Sequence, residues 1–281
     1  MFKRVLLLIA AAMAGPLAAQ APADPPLDPA CPQADLNVPR GPGIVCLGRL
    51  EEGFAFSVIY PKSVEQSPAL AEALRAEWAA ALARMEGAAR DRQAERAADA
   101  REPHRLSYEA GWRIDADLPE IVAASGTISH YGGGAHGGIE YRVILIDRQR
   151  GRAIELPDLF QPGIFEPDLL GYRLWGIRAV QAAFCRALTG QVRARRDDPG
   201  AQLRCPPIED QPVALLCGAG GRIDRMRALL NPYVVGSWAE GPYEVEFPID
   251  AAMMASIKRR LRPAFGLTQE TRPRSPARPC R

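Results

Sequence analysis

The chain has 281 residues, 47% of them apolar, with 35 basic against 33 acidic side chains. Apolar content of this size fills one large core or two smaller ones. The charge excess disappears once Lys3 and Arg4 are set aside, which leaves no basic surplus for nucleic acid or an anionic membrane surface.

Residues 1–21 join Lys3 and Arg4 to an apolar run from Val5 to Met13, a Gly15-Pro16 break and the small-x-small triplet Ala19-Gln20-Ala21. This is the layout of a secretory signal peptide, so the mature chain is expected to be periplasmic or secreted. The run is about half the ~20 residues that a membrane-spanning helix needs. No later window is apolar enough to span, and no membrane insertion is expected after signal cleavage. Residues 22–43 hold many prolines and no periodicity, the mark of an extended linker.

All six cysteines, Cys31, Cys46, Cys185, Cys205, Cys217 and Cys280, follow the expected cut. An even set in an exported chain points to disulfides. Cys31 with Cys46 and Cys185 with Cys205 are favoured, because each pair encloses a short proline-containing loop; Cys280, in a tail, is the one expected to be free. Spacing alone does not fix the pairing.

Phe54, Phe56, Val58 and Tyr60 alternate along residues 53–60, the period-two pattern of a strand with one buried face. Leu70, Leu74, Trp78, Leu82 and Met85 recur at helical spacing through 68–99 and predict an amphipathic helix lying across a sheet. Strands are predicted over 105–115, 120–131 and 139–147, the last turning through Arg148 to Gly151 into 152–156, as an antiparallel meander. A second helix fits 168–190, with Asp168 as its N-cap and Leu170, Leu174, Ile177, Phe184 and Leu188 in one stripe. Short strands fit 213–217, 222–229 and 243–247, and Asp250 caps a last helix with Met253, Ile257 and Leu261 inward.

The expected fold class is α+β, two helix-on-antiparallel-sheet units packed together and held by disulfides. The first unit spans 44–150 and the second 151–262. Residues 263–281 carry Arg272, Arg274, Arg278 and Arg281 among Pro, Thr and Ser, too little apolar content to offset ordering entropy, and are expected to be a disordered tail.

Five of the seven residues from Gly132 to Gly138 are glycine, a loop able to adopt positive φ or to let another group approach its backbone closely. It reads either as a fold-defining turn or as a ligand contact. The GGAHG segment, the alternating strand behind it, a D-x-x-x-G turn and the end Leu156, Asp158, Leu159 and Phe160 form one signature. A second lies downstream, where Asn231-Pro232-Tyr233 precedes a small-residue loop to Gly241 and the strand Tyr243 to Phe247. Together these segments resemble the extracytoplasmic domain pair of RsiV-type anti-sigma factors, found also beside the catalytic domain of PdaC-type peptidoglycan deacetylases. The resemblance frames residues 44–262 and implies the same pair of α+β units. It also implies recognition of a lysozyme-like protein or a peptidoglycan fragment, with inhibition of a wall-degrading enzyme as one outcome. The transmembrane and sigma-binding parts of the anti-sigma relatives, and the metal-dependent domain of the deacetylases, have no counterpart in the residues read here.

No catalytic constellation stands out, and no catalytic residue, metal ligand or cofactor is assigned. His130 and His136 flank the glycine loop with His104 a strand away, but no H-x-x-x-H or C-x-x-C spacing supplies further zinc donors. Ser125 and Ser129 lack a G-x-S-x-G elbow, and the loop lacks the Lys and Ser or Thr of a phosphate loop. The Glu51-Glu52 and Asp197-Asp198 pairs sit where nothing apolar would raise a pKa. Tyr131, Gly133 and His136 on the glycine loop, with Asn231, Pro232, Tyr233 and Trp238 on the closing loop, make the better case, for partner binding. Tyr and Trp on loops give contact area at little entropic cost, although either ring would equally serve to cover a sheet end. The expectation is therefore a non-catalytic exported binding protein, with a His-dependent or metal-dependent envelope hydrolase as the alternative.

Overall fold

A computed structural model describes residues 43–96, 105–161 and 175–268, with side chains described for all of these except 95, 96 and 175–177. The expected signal and linker, Cys31, His104, the Asp168 cap and Cys280 lie outside the described residues. The fold is mixed α+β with two sheets.

The first sheet has six strands in sequence order: β1 (Ile44–Leu50), β2 (Phe54–Pro61), β3 (Leu106–Asp117), β4 (Ile121–Tyr131), β5 (Gly138–Asp147) and β6 (Arg152–Ile154). Helix α1 (Pro68–Arg96) connects β2 to β3, which pair in parallel, and every other neighbouring pair is antiparallel. The expected antiparallel meander is present from β3 to β6, and the parallel pair joins β2 to its edge. A strand's side-chain period is the same in both orientations, whereas a helical crossover returns the chain to the same end of the sheet. β1 carries no clean alternation and had no sequence signal beyond the start of the folded region near Ile44.

Leu70, Leu74, Trp78 and Leu82 of α1 are buried against Phe54, Phe56 and Val58 of β2 and Tyr108, Ala110 and Trp112 of β3. The opposite face of the sheet is also covered, so adjacent residues of β4 enter different cores. Val122 and Ala124 face α1, while Ile121 and Ala123 join the second core. A bulge between Ile114 and Ala116 makes Asp115 the extra residue of β3. The extra residue reverses the side-chain alternation, and Ala116 joins the second core where an unbulged strand would have turned it toward α1.

That second core is completed by α2 (Trp175–Arg196), the antiparallel sheet β7 (Val213–Cys217), β8 (Ile223–Leu230) and β9 (Tyr243–Pro248), and the short helix α3 (Ala251–Ser256). α2 runs past the expected stop at Gly190 to Arg196. The cost of an interior glycine, about 1 kcal/mol, is offset by Val192, fully buried two residues on. Asp250 caps α3, its side chain accepting from the Met253 amide at 2.9 Å. Ile257 then leaves the helix to bridge Phe160. Arg260 reaches the fully buried Asp147 at the end of β5, Nη1 to Oδ2 2.6 Å, and so ties this segment to the first sheet.

The expected disulfide Cys185–Cys205 is present, linking α2 to the segment before β7. Cys46 and Cys217 each take part in a separate disulfide. The boundary of the expected tail moves, because Phe265 is fully buried and pairs with Ile223, and the Gly266 amide donates to the Ile223 carbonyl at 2.9 Å. Order therefore continues beyond Pro263 to at least Thr268. One large aromatic side chain contributes enough burial, about 1.5–3 kcal/mol, to hold a short segment otherwise rich in Arg and Pro.

Candidate functional site: an aromatic rim where the two sheets meet

The glycine loop joins β4 to β5 in the first sheet, and the closing loop joins β8 to β9 in the second. The fold brings them side by side although about a hundred residues separate them in sequence. Asn231 makes the first tie: its Oδ1 accepts from the Tyr141 amide of β5 at 3.0 Å. The Tyr141 hydroxyl, pushed up to about 12 by burial and then by Glu244, stays protonated and donates to Glu244 Oε1 at 3.4 Å.

Within the glycine loop the carbonyls are held by side-chain donors. Tyr131 Oη donates to Gly134 O at 3.0 Å, His136 Nδ1 donates to Gly137 O at 2.8 Å, and Arg92 from the end of α1 donates to Gly132 O. Gly133 sits at φ +85°, and a Cβ there would run into the Arg92 guanidinium. The backbone angle is what requires the glycine, because the guanidinium is the far end of a flexible side chain and can shift aside.

The closing loop supplies two rings. Trp238 opens a 3-10 turn to Glu240 and stacks on His136, with centroids 4.3 Å apart and planes 20° from parallel. Tyr233 lies 6.2 Å from Trp238, and its Oη stands 3.4 Å from His136 Nε2. Because His136 Nδ1 already carries a hydrogen for Gly137 O, Nε2 of the neutral ring is an acceptor and the Tyr233 hydroxyl is the donor. Among the described residues Tyr233 is one of two non-glycine residues at positive φ, +72°, and 64% of its surface is exposed. Its amide donates to Gly236 O at 3.1 Å and that of Val234 to Asn231 O at 3.3 Å, which holds the turn. Pro232 is half-buried at the turn's start.

The anchor for this loop is the end of α2, which carried no sequence signal of the role. Arg195 Nη1 donates to the carbonyls of Glu240 and Pro242 at 2.9 and 3.1 Å and lies over the Tyr243 ring at 3.9 Å. Arg196 grips both carboxylate oxygens of Glu240 at 3.1 Å and the Val235 carbonyl at 3.2 Å. Tyr243 donates to Glu240 Oε2 at 2.7 Å, and that bond, ahead of Arg196, holds the Glu240 carboxyl below its ordinary range.

Of the residues predicted from sequence, Tyr233, His136 and Trp238 form one cluster, with Tyr131 and Gly133 shaping the loop beneath His136. Asn231 serves instead as a tie between sheets. His130 lies apart from the cluster's ring contacts: its ring packs over Gly138, and its Nε2 is 4.0 Å from Glu140 Oε1. Among the described residues no three His, Cys, Asp or Glu side chains gather as a metal site would require. Two clefts lie elsewhere. One of about 350 Å³ is lined by Arg49, Glu51, Glu86, Arg90 and Arg92, and one of about 520 Å³ by Gln191, Arg227, Glu244 and Glu246. The aromatic cluster lines neither of them.

No protein-family model and no curated protein matches the chain. Among solved structures it is similar to a DUF3298 family protein from Pseudomonas aeruginosa, with 16% identity, a TM-score of 0.44, and 85% of this chain and 97% of that one covered. It is also similar to a DUF3298 family member from Bacteroides fragilis, with 14% identity, a TM-score of 0.45, and 78% and 94% covered.

Proposed function

We propose that this is a non-catalytic exported binding protein whose paired loops recognise a cell-envelope partner, a lysozyme-like protein or a peptidoglycan fragment. The observation that carries the reading is the gathering of Tyr233, His136 and Trp238, from two sheets, on a rim outside either cleft. Tyr233 is held exposed in a backbone conformation that a non-glycine residue enters at a cost. Buried rings are explained by packing, but a ring held outward against a conformational cost needs another reason. The resemblance to the RsiV and PdaC domain pair supplies the partner class. Export rests on the signal-like residues 1–21 and agrees with the disulfide Cys185–Cys205. No helix among the described residues is long and apolar enough to cross a membrane.

Titration calorimetry of the oxidised protein tests the reading, with lysozyme in one arm and a soluble muropeptide mixture in the other. Saturable binding is expected in one arm and is expected to be lost in a still-folded Tyr233→Ala, His136→Ala double variant. Binding that survives in the variant moves the partner surface off the rim, and silence in both arms rejects the reading. Turnover of the wall fragments would favour the hydrolase alternative. If the bound partner is lysozyme, its lytic activity is expected to fall at stoichiometric protein.

A further inference from the structure

We infer that His136 is a positioning residue whose protonation state decides whether the Tyr233 hydroxyl meets a partner as an acceptor or as a donor. The inference rests on the reading of the rim as a recognition surface and specifies how that surface is regulated.

The geometry leaves His136 one available ring nitrogen. Nδ1 is committed to Gly137 O at 2.8 Å, one face is against Trp238 at 4.3 Å, and Nε2 is directed at Tyr233 Oη, 3.4 Å away. In the neutral ring Nε2 has only a lone pair, so the phenol hydrogen points inward and the phenol lone pairs face solvent. Protonation places a hydrogen on Nε2, which reverses the bond: the phenol oxygen accepts, and its own hydrogen turns outward. The imidazolium is held in place during the change because a cation gains attraction from the indole face on which it already lies. Gain or loss of that one proton therefore exchanges the hydrogen-bonding face that the rim presents, and pH is the variable that tests it.

The other titratable and charged groups near the rim are committed elsewhere. Tyr131 donates to Gly134 O and Arg92 to Gly132 O. His130 and Arg142 face Glu140, and Arg195 and Arg196 are spent on Glu240 and the closing-loop carbonyls. None of them stands between His136 and Tyr233, which leaves His136 as the group that switches the hydroxyl.

Three measurements on the full oxidised protein decide the matter. Long-range proton–nitrogen NMR of the imidazoles, with His136→Gln to assign the signal, is expected to show neutral His136 carrying its hydrogen on Nδ1. A hydrogen on Nε2 overturns the inference. Trp238 fluorescence should fall as His136 protonates beneath the stacked indole, and the change should vanish in His136→Gln and in Trp238→Phe; an unresponsive wild type overturns it as well. Both readouts use the ligand-free protein and stand whether or not the recognition reading does. Where lysozyme or muropeptides bind, Kd should change by about three- to tenfold between pH 5 and pH 8, the worth of one hydrogen bond. The profile should be flat in His136→Gln and in Tyr233→Phe, which keeps the ring and removes the hydroxyl. A flat wild-type profile with measurable binding would also overturn it.

Discussion

Tyr233 and Asp115 each give up stability locally, and each yields a prediction. Tyr233 occupies the left-handed region at φ +72°, which for a residue with a Cβ costs about 1–2 kcal/mol. Tyr233→Gly is expected to raise the urea midpoint by that order of stability while weakening binding at the rim, and a denaturation curve paired with calorimetry checks both halves. Asp115 is the bulge residue of β3, buried, with Arg113 Nε donating to its Oδ1 at 3.0 Å. Burial, the largest effect, raises its carboxyl above the ordinary value, opposed by Arg113 and Ser125. As pH climbs past the ordinary carboxyl range, the unfolded chain loses this proton while the folded chain keeps it. Stability at this site therefore falls with rising pH until the folded group ionises. Asp115→Asn should abolish that decline and raise the midpoint at pH 7; an unchanged pH profile would sink the assignment. The sequence could nominate Tyr233 and His136 separately, as a ring and an imidazole on loops. It could not show that they touch, because the contact depends on how two sheets dock. Nor could it flag Asp115, since a bulge is a mismatch between strands rather than a property of either one.

At the scale of elements, the helices and most strands were legible because their periodicity matches what is buried: Leu70, Leu74, Trp78 and Leu82 form the stripe that the sequence predicts. β4 was readable as a strand but not as a two-faced one. Its burial on both sides reflects a second layer that no local window contains. The closing loop depends on α2, whose last turn supplies Arg195 and Arg196, and α2 is in turn joined by Cys185–Cys205 to the segment ahead of β7. Gln181 adds to that joint, donating to Pro206 O at 3.0 Å and accepting from the Ile208 amide at 2.7 Å. Closing a loop with a sequence separation of 20 residues is worth about 3 kcal/mol on the chain-entropy account. The Cys185→Ser, Cys205→Ser double variant should lose stability of that order by denaturant titration. Faster amide exchange at 206–208 should accompany it, while β1 to β5 keep their protection.

For the whole molecule, the expectation of two units is met in outline, but their cores are not independent. Ala116, Ile121, Ala123 and Leu145 of the first sheet are part of the second core, and the Arg260–Asp147 pair crosses the same junction. The segment that follows α3 closes this core with Phe265, and its surroundings of Pro and Arg hid it from a composition-based reading. Phe265→Ala should cost about 3–5 kcal/mol, the usual range for removing a buried Phe. The loss should appear as one cooperative transition rather than as melting of the second sheet alone. Two resolved transitions would show that the shared core does not couple the units.

The rim draws one loop from each sheet, so it exists only while the sheets remain docked, and any partner spanning it binds the assembled state and not the separated one. Mass action then makes such a partner a fastener for the entire protein. At a free concentration a hundredfold above its Kd it adds about 2.7 kcal/mol to the unfolding free energy. Occupancy of a few exposed rings would thus be readable far from them, as slower proteolysis throughout both cores.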